Sequence, residues 1–502
     1  MSQTDAAASA PVEPARCTDT LTASIIDDVG RVSNRGQDGI GRQFAELIIV
    51  CGRETREMDL REGEGGQTEA NGDAPSEHDS GSKPYRFYVL ILLAITYTLN
   101  TADRSILNIV LPPIKAEFAL ADWQLGVLAG PLFAIIYAIC SIPFASLSDR
   151  TNRKRLIAVT MMVFSTATAA CGMAASYLHL MVARFVTGAA ESATVPAATS
   201  MIADLYGSGR RVWAIAIFSA GGSVGATVAG LVGGLVAHHY GWRYAFLAMG
   251  LPGLALGMLL LLSVKEPARV ISDQASVTRP PLPVSVVIGR VFSQPSFRWL
   301  CIGNLLLFFH NSGAKSFESL FLVKAHGLNL AQIGSVGTAL GMIGLLVTLG
   351  VGRLSDALSA RNVRWLMYVP LIVALAGVAT ALVMLLASNR WVALVVGGSG
   401  ALFVLAYAAP LYAAVQALVP GSMRARAMAF LLLLTNLIGV GLGPPLTGAL
   451  SDLLSTQLGS IDGLRWALIV ILAPNFVAAF AFWRASRTLS ADIARSGELA
   501  QR

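Results

Sequence analysis

From Tyr85 onward the chain alternates long apolar runs with short polar connections. Twelve runs, at about 87–111, 124–147, 155–175, 178–203, 212–237, 243–263, 298–323, 331–354, 364–387, 391–417, 426–450 and 464–484, each reach the length of roughly 20 residues that crosses a bilayer core. Lipid offers the backbone no hydrogen-bond partner, so each run is predicted to be a helix that satisfies its own amides. A longer polar stretch, with Lys265-Glu-Pro267, Arg279-Pro-Pro-Leu-Pro283, Arg290 and Arg298, separates the sixth run from the seventh. The expected organisation is a polar tail over 1–84, six spans over 85–264, a central loop over 265–297, six more spans over 298–485, and a short tail over 486–502. The fold class is an all-α membrane protein of twelve transmembrane helices in two pseudo-symmetric six-helix bundles.

The N-terminal tail reads differently. Residues 63–84 are polar, acidic and rich in glycine and serine, a composition expected to be disordered. The apolar stretch Ala45–Cys51 is too short for a signal-peptide core, and Met58 is a candidate alternative start. Over the whole chain 54% of residues are hydrophobic and 13% charged, which excludes a soluble domain. The net charge of +7 does not point to nucleic acid, since no long basic run with interleaved aromatics exists. The excess lies in the loops instead. One side carries Arg150, Arg153, Lys154, Arg155, Arg210, Arg211, the central loop, Arg353, Arg361, Arg364, Arg424, Arg426, Arg484 and Arg487; the other has little beyond Lys115, Arg243, Lys324, Arg390 and Arg465. The positive-inside rule therefore puts both termini and the central loop in the cytoplasm, in a multi-pass protein of the plasma (inner) membrane. Five scattered cysteines give neither a disulfide framework nor metal-ligand spacing.

Charges inside the spans are the candidate chemistry. Asp103 and Arg104 stand side by side deep in the first run, where each charge costs roughly 2.5–3.5 kcal/mol on insertion scales. Such residues face a bundle interior or a wet cavity, either as a functional site or as a structural pair with neighbouring helices. Adjacent helical residues diverge by about 100°, so the two cannot serve one partner together. In the fourth run Arg184 and Glu191 lie two turns apart on one face. Burial and a nearby cation pull a carboxyl's proton affinity in opposite senses, so an Arg104 that approaches Glu191 only in some conformations makes a proton-coupling device. The bland alternative is a static Glu191–Arg104 bridge. The seventh run holds His310, Lys315 and Glu318, where Lys315 and Glu318 either neutralise each other or line a cavity, Lys315 for an anionic substrate and His310 as a second titratable group. Glycines at four-residue spacing, Gly221/Gly225 and Gly439/Gly443, read as close helix packing, and Gly443-Pro444-Pro445 as a kink.

The halves repeat one another. Arg210–Ala216 matches Arg424–Phe430, Gly241–Phe246 matches Gly463–Leu468, and Ala145–Asp149 matches Gly352–Asp356. Parallel repeats of this kind are a transporter architecture with its site at the midplane between them. Asp149-Arg150-Thr-Asn-Arg153-Lys154-Arg155 and Arg184-x-x-x-Gly188 resemble the loop and helix signatures of the major facilitator superfamily, with Ala145 and Asn152 in place of the family's glycines. The Gly-Pro pattern of its antiporters is missing from the fifth run. Asp103-Arg104, Gln124-Leu-Gly126, Gly188-Ala-Ala-Glu191, Arg424-Ala-Arg426 and Asn436-Leu-Ile-Gly439-Val-Gly441-Leu-Gly443-Pro444 are similar to the Spinster-like branch, over about 85–485. That resemblance implies a cavity lined by Asp103, Arg104 and Glu191 with a role in proton coupling, and substrates that in animal members are lysolipids or sphingoid phosphates. Asp149 is expected to end its helix against a helix N-terminus of the other half as a conformational latch with Arg150, Asp356 being its weaker counterpart. Arg153, Lys154 and Arg155 read as solvated loop charges.

No phosphate-binding Gly-x-x-x-x-Gly-Lys-Ser/Thr loop and no nucleophile–base constellation occurs, so neither ATP coupling nor an enzyme is expected. The leading reading is a proton-coupled secondary transporter moving a small amphipathic or anionic organic solute, such as a lysolipid, by alternating access. Alternatives are a sugar-acid or drug carrier, a lipid mover working down a gradient, or a solute sensor on a transporter fold. The expected partners are a small-molecule substrate, protons and membrane lipid, with no nucleic acid, cofactor or metal, and a monomeric state.

Overall fold

The computed structural model describes residues 82–206, 208–267, 289–419 and 423–501. Residues 1–81 of the tail and most of the central loop lie outside them, and the first helix already begins at Lys83. Apart from single turns, every described element is helical. The N-terminal half consists of α1 (Lys83–Phe118), α2 (Asp122–Ala129), α3 (Pro131–Arg150), α4 (Arg153–Gly172), α5 (Tyr177–Glu191), α6 (Thr194–Leu205), α7 (Ser208–Val228), α8 (Gly234–Tyr240) and α9 (Trp242–Ser263). The C-terminal half consists of α10 (Pro295–His326), α11 (Leu330–Arg361), α12 (Trp365–Leu386), α13 (Arg390–Ala406), α14 (Ala408–Leu418), α15 (Arg424–Leu434), α16 (Gly441–Leu458), α17 (Ser460–Val470) and α18 (Ala473–Gln501). Wider π-helical turns, Ala229–Gly233 and Thr435–Val440, join α7 to α8 and α15 to α16.

Among the described residues, eight stretches are long and apolar enough to cross a membrane by length and composition. The chain is thus an all-α multi-pass membrane protein. Four other predicted spans fall short for physical reasons. Helices α1 and α10 carry the intramembrane charges and amides, and α5–α6 and α13–α14 are broken. Each break lies just ahead of a proline, Pro196 or Pro410, whose ring removes an amide donor and crowds the carbonyl four residues back. The C-terminal segment 486–501 continues α18 as helix.

The repeat is visible in these irregularities: the α5–α6 and α13–α14 breaks and the two π turns recur at matching places, whereas the α2–α3 and α17–α18 breaks have no counterpart in continuous α11 and α9. One correspondence shifts. Gly241 (φ +94°) precedes α9 in a backbone conformation open to glycine, and its structural equivalent is Gly459 (φ +81°) before α17, four residues ahead of Gly463.

The apolar cores reveal how the halves meet. One cluster mixes both halves, joining Ile106, Leu107, Leu125 and Phe246 to Phe317, Phe321, Leu330 and Leu464. Two further clusters each belong to one half: Leu90, Phe164, Met201 and Phe218 in the first, Phe297, Met367, Tyr407 and Phe482 in the second. The halves therefore share a core at the end holding the α1–α2 and α16–α17 turns, and separate toward the end holding residues 82 and 501. Small residues allow the shared contact: a Cβ on Gly126 or Gly448 would run into the carbonyl oxygen of Pro444 or Asp122 across the interface.

Candidate functional site

Where the halves part, a cavity of about 210 Å³ opens between them. Its N-terminal wall is Arg104, Leu107 and Asn108 of α1, Ala129 of α2, Phe133, Ala134 and Tyr137 of α3, and Arg184 of α5. Its C-terminal wall is Ser312, Lys315 and Ser316 of α10, with Asn436 and Val440 of the second π turn.

The roughly 100° between neighbours on α1 sends Asp103 and Arg104 to different partners. Asp103 is fully buried; it accepts from Thr168 Oγ1 of α4 at 3.0 Å and pairs with Arg184 of α5. Arg104 donates from Nε to Glu191 Oε2 at 2.7 Å. Its guanidinium carbon lies 4.6 Å from the Phe133 ring centre and 4.7 Å from that of Tyr137. The two rings stack on each other with centres 5.7 Å apart. Phe133 also lies 5.6 Å from the Arg184 guanidinium, so one ring touches both arginines. Room for that ring comes from Gly188, where a Cβ would press on Phe133 at 3.2 Å.

Glu191 is the last residue of α5, at the break before α6, and its side chain is sealed from solvent while that of Arg104 is 38% exposed. Its Oε1 and the Nε of Arg184 are buried without a hydrogen-bond partner. The pair is thus a carboxylate in the protein interior joined to a cation at the cavity edge. The break in α5–α6 puts the negative pole of the α5 backbone beside that carboxylate.

Of the other predicted residues, Lys315 reaches the cavity, while Glu318 and His310 are not on its lining. His310 is buried, its Nδ1 3.1 Å from the Ile471 carbonyl oxygen at the α17–α18 junction. Arg150 and Asp356 are exposed, and the Asp149 side chain lies outside those described. Arg153 requires a correction. It is 2% exposed, donating to Glu266 Oε1 at 2.9 Å and Ser200 Oγ at 3.0 Å and pairing with Asp204. Glu266 in turn accepts the Lys154 amide at 2.8 Å. Two carboxylates far along the chain thus draw this arginine out of the solvated loop. The sequence reading missed Phe133, Tyr137, Asn108 and Asn436 on the cavity wall; Asn108 lies one turn after Arg104 and Tyr137 one turn after Phe133. No cluster able to hold a metal occurs among the described residues.

Residues 93–405 match the model of the Major Facilitator Superfamily. The chain belongs to the major facilitator superfamily. Its members are transporters and not enzymes, and this chain is a secondary transporter of a small organic solute. It is 30% identical over 423 residues to an MFS-type efflux pump of Mycolicibacterium smegmatis, covering 83% of this chain and 97% of that protein. It is 28% identical to the gallate transporter of Pseudomonas putida over 38% of this chain and 42% of that one. Among solved structures, a bacterial homolog of the human lysosomal transporter Spinster, in an inward-facing and unoccupied conformation, superposes with a TM-score of 0.74. That likeness has 29% identity and covers 82% of this chain and 99% of the homolog, so the chain is similar to a Spinster homolog along nearly that protein's whole length.

Proposed function

We propose that the protein is a proton-coupled carrier of a small organic acid, with twelve spans in two six-helix bundles that rock about the central cavity. The observation that carries this reading is the Arg104 guanidinium, which spends its Nε on buried Glu191 and borders the cavity. An acid anion entering from the open end meets Arg104 from the N-terminal half and Lys315 from the C-terminal half. It competes with Glu191 for the arginine. A buried carboxylate left without its cation costs several kcal/mol, so Glu191 takes up a proton as the substrate displaces it. Asp103 is already committed to Arg184 and Thr168, and holds α1, α4 and α5 in register during the exchange.

A cavity of 210 Å³ lies below the roughly 300–1,000 Å³ of pockets for drug-sized ligands, which favours a compact acid over a lysolipid with its long chain. The gallate transporter among its relatives agrees with that class. Solute efflux is the second reading, favoured by the near full-length match to the mycobacterial pump. The basic loops of the split end support a cytoplasmic location for both termini in the plasma membrane. There Asp149, Arg150 and Asp356 act as the latch when the halves come together. The cavity is lined from both halves of one chain, and the working unit of this reading is the monomer.

The test is uptake into proteoliposomes of gallate, a hexuronate and a lysophospholipid, with and without an acid-outside pH gradient. Saturable, gradient-driven accumulation of one of the acids is expected. Movement of the lysophospholipid alone, or acid uptake indifferent to the gradient, contradicts the reading.

A further inference from the structure

Helix α2 begins with half a capping box: Gln124 Oε1 accepts the Ala121 amide at 2.9 Å, but among the described residues nothing in its own half accepts the first amides of the helix. Its N-cap residue is Ala121, which has no side-chain acceptor, and the first backbone amides of any α-helix lack intrahelical partners. Here those amides are taken from the other half: Asp452 of α16 accepts the Asp122 amide on Oδ1 at 2.9 Å and the Trp123 amide on Oδ2 at 2.8 Å. The neighbouring Ser451 donates to Asp122 Oδ2 at 2.7 Å, and Lys115 pairs with the other oxygen of Asp122. Asp122 and Ser451 are buried, and the carbonyl of Asp122 rests against Gly448 one turn earlier on α16. Both oxygens of one carboxylate thus sit on the positive end of a helix from the opposite half. The cavity-lining Ala129 terminates that same helix.

We propose that Asp452 is the lock of the closed end: it caps α2 in trans, and the transporter opens its cavity to that side only when Asp452 lets go of the Asp122 and Trp123 amides. Because Ala121 cannot replace the lost acceptor, release leaves the first turn of α2 unpaired and Asp122 without Ser451. The lock therefore biases the protein toward the conformation open at the split end. It acts independently of the substrate and of Glu191, so its failure and that of the transport reading are separable.

The experiment places a single cysteine at Ala129 in a protein whose five native cysteines are replaced, and labels it in proteoliposomes with a membrane-impermeant maleimide applied from the closed side. Asp452→Ala is expected to raise the labelling rate several-fold. Asp452→Asn, which keeps the side-chain shape and one oxygen, is expected to raise it less, and provides the readout if the alanine variant does not accumulate. A second arm adds Ala121→Ser to Asp452→Ala, restoring a cap to α2 within its own half. Labelling that stays high in this double variant supports a lock between halves, whereas a return to the parent rate reduces Asp452 to a helix cap and overturns the proposal. Unchanged labelling in the single variants overturns it as well.

Discussion

Arg104 is held on three sides before any solute arrives. Glu191 takes its Nε, while Phe133 and Tyr137 flank the guanidinium plane at 4.6 and 4.7 Å. Cation–π contacts contribute about 0.5–1 kcal/mol at exposed sites and about 2 where water is excluded, so the rings fix the arginine's orientation more than they stabilise the fold. Phe133→Leu is expected to raise the KM for the transported acid by about 2- to 30-fold, with a smaller change in maximal rate, the range given by those energies at 1.4 kcal/mol per tenfold. Initial-rate measurements over substrate concentration check this, and an unchanged KM would show that the rings do not position Arg104. That Asp103 and Arg104 must part was legible from their adjacency on a helix. Which partner each takes was not, because Thr168, Arg184 and Glu191 come from helices whose rotation one sequence does not specify. Arg153 taught the same lesson in reverse: a basic loop looks solvated until Asp204 and Glu266, distant along the chain, are seen to surround it.

At the scale of elements, hydropathy located the spans because a bilayer imposes length and apolarity on any crossing helix. The spans that stand out least are those that buried charges or a break interrupt. Pro196 and Pro410 lie just past the breaks, yet Pro143 and Pro252 sit inside continuous helices, so a proline alone does not announce a break. The π turns likewise leave no compositional mark. Close packing was anticipated from glycine spacing on the fifth and eleventh spans, but the tightest approach at the closed end uses Gly126 and Gly448 as well. Gly448→Ala places a methyl group against the Asp122 carbonyl, and overpacking of this kind costs about 1–3 kcal/mol. A thermal midpoint several degrees lower is expected, together with easier opening of the closed end; an unchanged midpoint would mean that the α2–α16 contact is slack.

Across the whole molecule, the shared core at one end and the separate cores at the other describe a carrier with its cavity open to a single side. The repeat was legible because both halves kept similar residues at their loops, whereas the conformation was not. Asp122 and Asp452 lie 330 positions apart, and nothing in their local sequence links them. On the proposed mechanism, the closed end releases its α2 cap as the split end closes, while the Arg104–Glu191 pair exchanges its carboxylate for the substrate's within the N-terminal half. The most direct test of this coupling compares the parent with Glu191→Gln in proteoliposomes, measuring gradient-driven accumulation and gradient-free exchange of the same acid. The account predicts that accumulation is lost while exchange persists, because the glutamine is permanently neutral yet still fills the site. Accumulation at the parent level in that variant would contradict it.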